Sequence, residues 1–397
     1  MRGIVVWAAL AVMVLSAPLS LAADADVAVN FGGLLQGGFI YRIGDEVLTC
    51  EEAGDDSAQE ICRVGVVASD YEFTLDRAYL VAFGHVVAER IGFFGRFGAA
   101  EGESGILDAK MSFRPVSYIT LNFGRFVPHI TFSSALDPKE LLLTLRPLMD
   151  ELPESIEGLR CRSSGYGFAP IHTFRELGAE VHADWGYGEI YMGVFNGMDT
   201  DGWEDNNTAK DFYFSLSAVP TKGLVLKLSG LYAQPLEMAR TQDSAEKDAI
   251  VWALVPGVSW RAGFGLILQA EYAYREYQPS ITGEGVPDVV SSTFVYGILG
   301  FGFHRFGLPL TMLAQVDFAD FNTDNAPHHA GRKDEVWRVA GGLTYEMAGT
   351  NALLRIDYYH YIENWDGIYD YDQTADDEPD RKDIDNDSLV FQLQVAF

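Results

Sequence analysis

The chain is poor in cysteine and in basic residues, and beyond its first residues it contains no long apolar run. Past Leu15, no uninterrupted apolar stretch approaches the ~20 residues that a transmembrane helix needs, which excludes a helical inner-membrane protein. Only 28 Lys and Arg stand against 57 Asp and Glu, and only three cysteines occur in 397 residues. No Pro/Ser linker, low-complexity tract or change in composition divides the sequence, which favours one domain.

Sequence patterns for catalysis and metal binding are also missing. His172 and His182 have acids nearby, but no Gly-x-Ser-x-Gly element accompanies them. His304 lacks a second His or a Cys at metal-ligand spacing, and the Asp-rich stretch 366–387 does not match the EF-hand spacing. We therefore expect no enzymatic activity, no cofactor, no metal site and no nucleic-acid partner.

Alternating polarity is what the sequence does contain, and its last ten residues show it most clearly. One parity holds Leu389, Phe391, Leu393, Val395 and Phe397, and the other holds Ser388, Gln392 and Gln394. Because alternate residues of a strand face opposite sides, this segment predicts a strand with one apolar and one polar face. Many Gly, Tyr and Phe (40, 19 and 25 residues) fit a protein built of strands, turns and aromatic belts.

The same alternation, bounded by turn residues, predicts sixteen strands. They are expected at 28–43, 69–84, 87–100, 105–114, 117–127, 174–185, 188–196, 210–219, 223–234, 249–261, 264–278, 293–304, 308–320, 335–346, 350–362 and 387–397. Tight turns are expected at 114–117, 185–188, 220–223, 261–264, 304–308 and 346–350, with a much longer connector between successive turns. Short turns on one side, long loops on the other and an even strand number are typical of a transmembrane β-barrel. We predict an all-β protein, a 16-stranded antiparallel barrel.

The faces of individual strands agree with a polar lumen and an apolar outside. On 352–358, Arg355 and Asp357 share one face and oppose Leu354, Ile356 and Tyr358. Hydrocarbon offers no hydrogen-bond partners, so the apolar face is expected to meet lipid. On 105–114 the same parity rule assigns Asp108 and Lys110 to the lumen and Leu107 to lipid. Strands 249–261 and 293–304 alternate poorly and receive no assignment of faces.

The amino terminus predicts export. Arg2 precedes an apolar run from Ile4 to Leu15, and small residues follow up to Ala22 and Ala23. A charged start, a short apolar run and a small-residue cleavage site are typical of a secretory signal. We predict a signal peptide at 1–22, with cleavage after Ala22, Ala23 or Ala25, a mature barrel at 23–397 and a location in the bacterial outer membrane.

Two stretches carry a more specific resemblance. The first is Ala109-Lys-Met-Ser-Phe-Arg-Pro-Val-Ser-Tyr-Ile-Thr-Leu-Asn-Phe-Gly-Arg-Phe-Val-Pro128, and the second is Tyr191-Met-Gly-Val-Phe-Asn-Gly197 with the acidic residues after it. Together they resemble the phosphate-selective porin O/P family of outer-membrane channels. The resemblance covers roughly residues 75–235. It implies a homotrimer of sixteen-stranded barrels and a pore loop that folds into the lumen.

The charge of the chain departs from that family, whose phosphate-selective members line the pore with arginines and lysines. The formal net charge here is −29, and connectors 44–69, 196–210 and 363–387 contain seven, four and eleven acids against one, one and two bases. Screening over ~10 Å isolates such external loops from a constriction. A locally basic lumen therefore stays compatible with the sequence.

The connector at about 127–173 is the candidate pore loop because it is far longer than its neighbours. Within it, Ser134–Asp150 predicts a short helix, with Asp137 as N-cap and Pro138 in the first turn. An external cap over the barrel mouth is the alternative. Arg125, at the root of the loop, has the parity of Leu121 and Phe123, so it faces lipid unless a bulge intervenes or it snorkels at the strand end.

The candidate selectivity residues are charged groups on two adjacent strands and on the long loop. The wall is expected to contribute Arg90, Arg96, Lys110 and Arg114, and the loop Asp137, Glu140, Asp150 and Glu151. Opposed rows of charge across a narrow aqueous gap filter solutes by charge. The alternative is that the bases pair with lumen acids and brace the wall. These acids would be Asp108, Glu180, Asp184, Glu271 and Asp317.

Cysteine usage predicts one disulfide. Cys50 and Cys62 lie in the same acidic connector, so a bridge between them would close a modest loop in an oxidising compartment. Cys161 is then free, or it pairs with the first loop instead.

The sequence as a whole predicts a passive diffusion channel for small hydrophilic solutes, with anions such as phosphate among them. Lipid and lipopolysaccharide are its expected surroundings. A barrel with a plugged lumen and a structural or adhesive role is the alternative, and an outer-membrane hydrolase is a more distant one.

Overall fold

The computed structural model describes residues 27–43, 46–52, 60–66, 71–86, 90–100, 103–134, 136–150, 175–196, 209–234, 236–237, 247–248, 250–278, 289–320, 334–349, 351–365 and 387–397. Sixteen strands within these ranges close into one antiparallel barrel. They are β1 (Val27–Arg42), β2 (Tyr71–Val86), β3 (Ile91–Ala100), β4 (Glu103–Val116), β5 (Ile119–Phe126), β6 (Glu176–Asp184), β7 (Gly188–Phe195), β8 (Asp211–Thr221), β9 (Leu224–Ala233), β10 (Ile250–Arg261), β11 (Leu266–Gln278), β12 (Val290–Gly302), β13 (Leu310–Asp320), β14 (Asp334–Glu346), β15 (Ala352–Trp365) and β16 (Ser388–Ala396). All sixteen predicted strands are confirmed.

Two short hairpins and three turns of 3₁₀ helix complete the described secondary structure. The hairpins pair Glu46–Glu52 with Glu60–Val66 and Leu236–Glu237 with Lys247–Asp248, and neither was predicted. The 3₁₀ turns are Pro138–Glu140, Leu148–Asp150 and Phe303–Phe306. No helix in the described ranges is long and apolar enough to cross a membrane. The predicted signal peptide lies outside the described residues.

The connectors differ between the two ends of the barrel. At one end, here the turn end, they are short and fall at 87–90, 117–118, 185–187, 222–223, 262–265, 303–309 and 347–351. At the other, the loop end, they are long, as predicted, except for the connection at 101–102 between β3 and β4. Glycines with positive φ occupy several of the tight turns, including Gly186 and Gly223.

The barrel closes between its first and last strands. β1 pairs antiparallel with β16, with Leu34 opposite Ala396 and Arg42 opposite Ser388. The backbone of Phe397 continues the ladder by exchanging hydrogen bonds of 3.0 and 3.1 Å with Gly33. A Cβ at Gly33 would lie 2.6 Å from the Phe397 ring, so glycine lets the ring lie in this position. The terminal strand, which the sequence predicted, thus closes the barrel.

The two faces of the wall have the expected polarity. Large apolar side chains are exposed on the outside, among them Phe31, Leu80, Met111, Phe123, Leu226, Val316, Leu354 and Leu393. Polar side chains of the opposite parity are buried inside, among them Gln36, Asn122, Ser215, Ser229, Gln315, Gln392 and Gln394. An apolar outer surface of this extent needs contact with apolar surroundings, and a closed ladder leaves no unpaired strand edge.

The poor alternation of β10 and β12 has a packing reason. Their inner faces carry Val251, Val255 and Phe294, which are buried in one large apolar cluster. The cluster also contains Leu143 and Leu148 of the β5–β6 connector. Where that connector packs on the wall, the inner face is apolar too, and alternation disappears from the sequence.

A β-bulge corrects two predicted orientations. Opposite β3, the register of β4 shifts: Asp108 pairs with Arg96 and Ile106 with Phe97, so Leu107 is the extra residue. Leu107 is therefore fully buried against Leu34 and Tyr79 rather than exposed on the outer face. Arg125 is 3% exposed, because its Nη1 donates to the carbonyls of Ile106 and Leu107 at the bulge.

Candidate functional site: the inner wall and the β5–β6 segment

Residues 127–150, here called the β5–β6 segment, make hydrogen bonds with inner-face side chains of several strands. The Phe132 amide donates to both carboxylate oxygens of Glu271 on β11, each at 2.9 Å. The Thr144 amide donates to Asp357 on β15 at 2.7 Å. A hydrogen bond to an ionised carboxylate is stronger than one between two neutral groups. These two acids therefore hold the segment's backbone directly.

Further contacts bind the segment's carbonyls and amides on the same side of the barrel. Arg355 Nη2 on β15 donates to the Leu141 carbonyl at 2.8 Å. The Leu145 amide donates to the Tyr359 hydroxyl at 3.0 Å, and the Arg338 guanidinium donates to the Arg146 carbonyl. Arginine, tyrosine and aspartate of the wall thus take the places that neighbouring peptide groups would occupy in a helix.

This explains why the predicted helix at Ser134–Asp150 is wrong. Among the described residues of this stretch, only Pro138–Glu140 and Leu148–Asp150 are helical, as 3₁₀ turns. Carbonyl and amide groups between these turns bind wall side chains instead. The predicted capping role of Asp137 survives locally, since its Oδ1 accepts the Lys139 amide at 3.2 Å.

Arg96 has both of the roles predicted for the wall bases: it faces an acid of the long loop, and it pairs with an acid of the wall. Its guanidinium pairs with Asp137 of the segment at 3.1 Å and with Asp108 of the wall at 3.2 Å. The Tyr79 hydroxyl also donates to Asp137 at 2.6 Å, and the Arg96 guanidinium lies 4.7 Å from the Tyr79 ring centre. Arg175 reaches the other side of Asp108 at 3.2 Å. Arg96 therefore faces the segment and braces the wall at the same time.

The other predicted selectivity residues lie apart from Arg96. Arg90 and Arg114 are exposed at the turn end, and Lys110 lies 5.5 Å from the Phe126 ring centre. Glu140 is exposed. Asp150 is buried. Glu151 lies outside the described residues.

Arg90 and Arg114 form a separate basic group. The Arg114 amide donates to the Arg90 carbonyl at 2.7 Å, which places the two residues opposite each other across β3 and β4. Both line a cavity of about 410 Å³ together with Asn30, His85 and Thr120. The cavity lining contains no acid among the described residues. The four predicted wall bases therefore do not form one group: Arg90 and Arg114 line this cavity, whereas Arg96 and Lys110 do not.

Among the acids predicted to brace the wall, Asp317 pairs with a base that the sequence analysis did not single out. Arg338 lies opposite Asp317 on the neighbouring strand, with Nε and Oδ2 2.9 Å apart. Neither side chain has any solvent exposure. The Arg338 guanidinium also lies 5.5 Å from the Tyr359 ring centre. The only sequence signal for Arg338 is its parity with Val336 and Ala340 on the inner face of β14.

Glu180 has neutral and imidazole partners instead of the expected Arg or Lys. Asn122 Nδ2 donates to it at 2.6 Å, the Tyr213 hydroxyl donates to it, and His129 Nδ1 lies 3.1 Å away. The His129 ring stacks on Tyr191 at 4.2 Å between centroids. His129 thereby fixes the start of the β5–β6 segment to the wall. Asp184, by contrast, is an exposed turn residue that accepts the Gly186 amide at 2.7 Å.

Asp150 fixes the far end of the described segment. Its carboxylate accepts the Thr131 hydroxyl at 2.8 Å and the Ser133 hydroxyl, and its side chain is buried. Burial is the main cause, and the charge of Glu271 the second, of a rise in the pKa of Asp150 to about 7. Arg146 and Lys227 act in the opposite direction.

The raised pKa of Asp150 makes stability depend on pH. Between the usual carboxyl pKa and about 7, the folded protein binds more protons than the unfolded chain, so the free energy of unfolding falls as pH rises. We expect the thermal midpoint in detergent to fall between pH 4 and pH 7 and to fall less in Asp150→Asn. A midpoint that falls equally in both proteins would contradict this assignment.

The hairpin at 46–66 places the predicted disulfide partners opposite each other. Its backbone register pairs Cys50 with Cys62 directly. Residues directly opposite in an antiparallel pair have Cα atoms about 4.5–5.5 Å apart, within the range of a disulfide. The bridge itself remains a prediction, and Cys161 lies outside the described residues.

We expect non-reducing peptide mapping to find Cys50 joined to Cys62, because the register brings their Cα atoms within bridging range. The Cys50→Ser variant should then release Cys62 as a free thiol, whereas Cys161→Ser should leave the bridge intact. A peptide joining Cys161 to either of the other two would overturn the pairing.

In the described part of the chain, no group of three or more His, Cys, Asp or Glu side chains is placed to hold a metal ion. No protein-family model matches the sequence, and no curated protein matches it either. Solved structures do match. An anion-selective porin from Comamonas acidovorans superposes with a TM-score of 0.59 at 12% identity, covering 94% of this chain and 100% of that one.

The barrel has the fold of outer-membrane channels. The outer-membrane channel DcaP of Acinetobacter baumannii gives a TM-score of 0.59 at 13% identity, covering 94% of this chain and 97% of that one. The outer-membrane protein OmpT of Vibrio cholerae gives 0.59 at 11% identity, covering 95% and 99%. At such low identity the match establishes the sixteen-stranded fold and nothing finer. The resemblance to phosphate-selective porins stays a prediction.

Proposed function

We propose that the protein is an outer-membrane porin, a passive diffusion channel for small hydrophilic solutes. The observation that carries this proposal is the polarity of a closed sixteen-stranded wall, apolar outside and polar inside. The apolar outer face is stable in contact with lipid, and the polar inner face is stable in contact with water in a lumen. Barrels of about this strand number are wide enough to hold water.

We further propose that the β5–β6 segment folds into this lumen and narrows it. Support comes from the distribution of its anchors around the wall. Asp137 pairs with Arg96 on β3, whereas Phe132 binds Glu271 on β11, eight strands further round a barrel of sixteen. A segment that contacts diametrically placed strands crosses the lumen. An external cap would not need to reach inner-face side chains on both sides.

The charges near the segment are proposed to set selectivity. Arg96 is neutralised by two acids, so its contribution to anion selectivity is small, and it positions the segment instead. Arg90 and Arg114 at the turn end keep their charge without an acid in the cavity that they line. Lys110, Asp137, Glu140, Asp150 and Glu151 complete the proposed set. We expect a modest preference for anions, phosphate among them.

The experiment is to reconstitute the purified protein in a planar bilayer and to measure the reversal potential under a KCl gradient. The proposal expects stepwise conductance and an anion-favouring potential that Arg90→Gln/Arg114→Gln reduces. Asp184→Asn, an exposed turn variant, should leave it unchanged. A reversal potential that favours cations would contradict the anion preference. If added phosphate does not reduce the chloride current, phosphate is not a preferred solute.

A plugged structural barrel is the second candidate, and one observation favours it. The inner face encloses a large buried apolar cluster, with Ile130, Leu143 and Met149 of the segment against Val255 and Phe294 of the wall. An apolar core of this kind fills space that water and ions would otherwise use. Folded, inserted protein that conducts no ions would decide for this candidate.

Three further properties belong to the proposal: an amino-terminal signal, contact with lipopolysaccharide and a homotrimer. The trimer follows from the family resemblance, and one solved structure of the Vibrio cholerae OmpT is described as a trimer form. Chemical cross-linking of the detergent-solubilised protein tests it. A ladder ending at three copies supports the trimer, and a single band at one copy contradicts it.

A further inference from the structure

A cavity at the turn end lies between the β5–β6 segment and the inner face of β10–β15. It has a volume of about 660 Å³, and the turns at 262–265 and 303–309 form its rim. Sites for small organic ligands usually measure about 300–1,000 Å³. The cavity therefore has the size of a site for a compact organic molecule.

The charged groups of this cavity are predominantly basic. Four bases line it, Lys139, Arg261, Arg305 and Arg355, against two acids, Glu140 and Glu346. Glu346 is already held by His304, whose Nε2 lies 2.9 Å from its carboxylate. This excess of positive charge contrasts with the formal net charge of −29 for the whole chain. The lining thus concentrates the positive charge that a bound anion requires.

Arg355 supplies the second observation. Its side chain is 2% exposed, and its guanidinium bonds to the backbone carbonyls of Leu141 and Lys139 at 2.8 and 3.4 Å. Among the described residues, no carboxylate lies within ion-pair distance of it. The charge of Asp357, two residues further along β15, offsets part of the cost of burying this guanidinium. Without a direct ion pair, that desolvation cost is only partly repaid. An anion bound in the adjoining cavity would reduce that cost.

Most of the remaining side chains of the lining are aliphatic, and they come from both the β5–β6 segment and the wall. Leu136 and Leu142 belong to the segment, while Ile267, Leu313 and Leu353 belong to the wall. Inorganic phosphate makes no use of such a surface, because burying apolar groups against a hydrated ion yields no hydrophobic gain. A ligand with both a carboxylate and an apolar body satisfies the two kinds of lining together.

We propose that this cavity is a binding site for small organic carboxylates with an apolar body. The carboxylate lies toward the arginines, and the apolar body contacts the leucines. The inference extends the proposed porin function by naming a solute class for the turn-end vestibule, and it rests on that function only for its biological use. Binding itself needs no ion flow, so the two are tested separately.

The test is calorimetry of the full-length protein in detergent, with a protein-free micelle blank and benzoate as the probe. We expect saturable binding of benzoate, and at least about tenfold weaker binding of benzamide and of inorganic phosphate, since each satisfies only one kind of lining. Arg261→Gln/Arg305→Gln should weaken benzoate binding without touching the anchors of the segment. Arg114→Gln, which lines the other cavity, should not change it.

Three results would overturn the inference. Equal binding of benzamide would mean an apolar pocket without anion recognition, and equal binding of phosphate would mean a generic basic vestibule. No saturable benzoate binding by folded protein would remove the site. If the same preparation still shows stepwise conductance, the porin function stands while the carboxylate site falls, and binding without conductance gives the reverse outcome.

Discussion

The Arg338→Met variant is expected to lose about 3–5 kcal/mol of unfolding free energy, because it leaves Asp317 buried without its partner. The pair is fully buried, with Nε and Oδ2 2.9 Å apart. Arg338 also donates to the Arg146 carbonyl, so the variant loses one anchor of the β5–β6 segment as well. Urea titration of the protein folded in lipid vesicles measures the change.

The control for this prediction is the double variant Arg338→Met/Asp317→Leu, which removes both charges. Replacing a buried ion pair by apolar residues of similar volume is often neutral, so the double variant should recover most of the loss. A single variant as stable as the parent would show that the pair contributes little. A double variant no better than the single would assign the loss to packing and to the Arg146 contact.

Removing two anchors of the segment is expected to give the largest change in conductance. Asp357→Ala deletes the acceptor of the Thr144 amide, and Glu271→Ala deletes the acceptor of the Phe132 amide. Without them the segment is held less tightly, and we expect the single-channel conductance of the double variant to rise about twofold or more, with larger open-channel noise, because the narrowest part of the path widens.

Asp184→Ala is the matched control, because Asp184 is an acid of the same wall whose carboxylate bonds only to the Gly186 amide of its own turn among the described contacts. It should leave the conductance at the parental value. If the double anchor variant also conducts like the parent, the β5–β6 segment is not the narrowest part of the path. A double variant that fails to insert is distinguished by its mobility on unheated gels.

The strands could be predicted from the sequence because a membrane barrel repeats one simple pattern. Lipid requires every second residue of each strand to be apolar, and β15 obeys this from Leu354 through Ile356 to Tyr358. Alternation failed in β10 and β12 where the lumen itself is apolar, as at Val255 and Phe294. The loss of alternation in β10 and β12 therefore coincides with the place where the β5–β6 segment packs against the wall.

The site was harder to predict because its contacts join residues far apart in sequence. Parity placed Arg96 and Asp108 on the inner face correctly, but a bulge of one residue moved Leu107 inward. Nothing local in the sequence indicates that Thr144 would bind Asp357, so the segment was predicted as a helix. Backbone groups that would bond to one another in a helix bond instead to side chains of the wall, because the barrel surrounds the segment.

Liposome swelling with uncharged sugars of increasing size tests the central claim most directly, that water and small solutes pass the β5–β6 segment. Vesicles containing the folded protein should swell in isotonic arabinose and swell progressively less in larger oligosaccharides. The size limit should move upward in Asp357→Ala/Glu271→Ala. Vesicles that contain the inserted barrel and swell in no sugar would contradict the channel and leave a closed structural barrel.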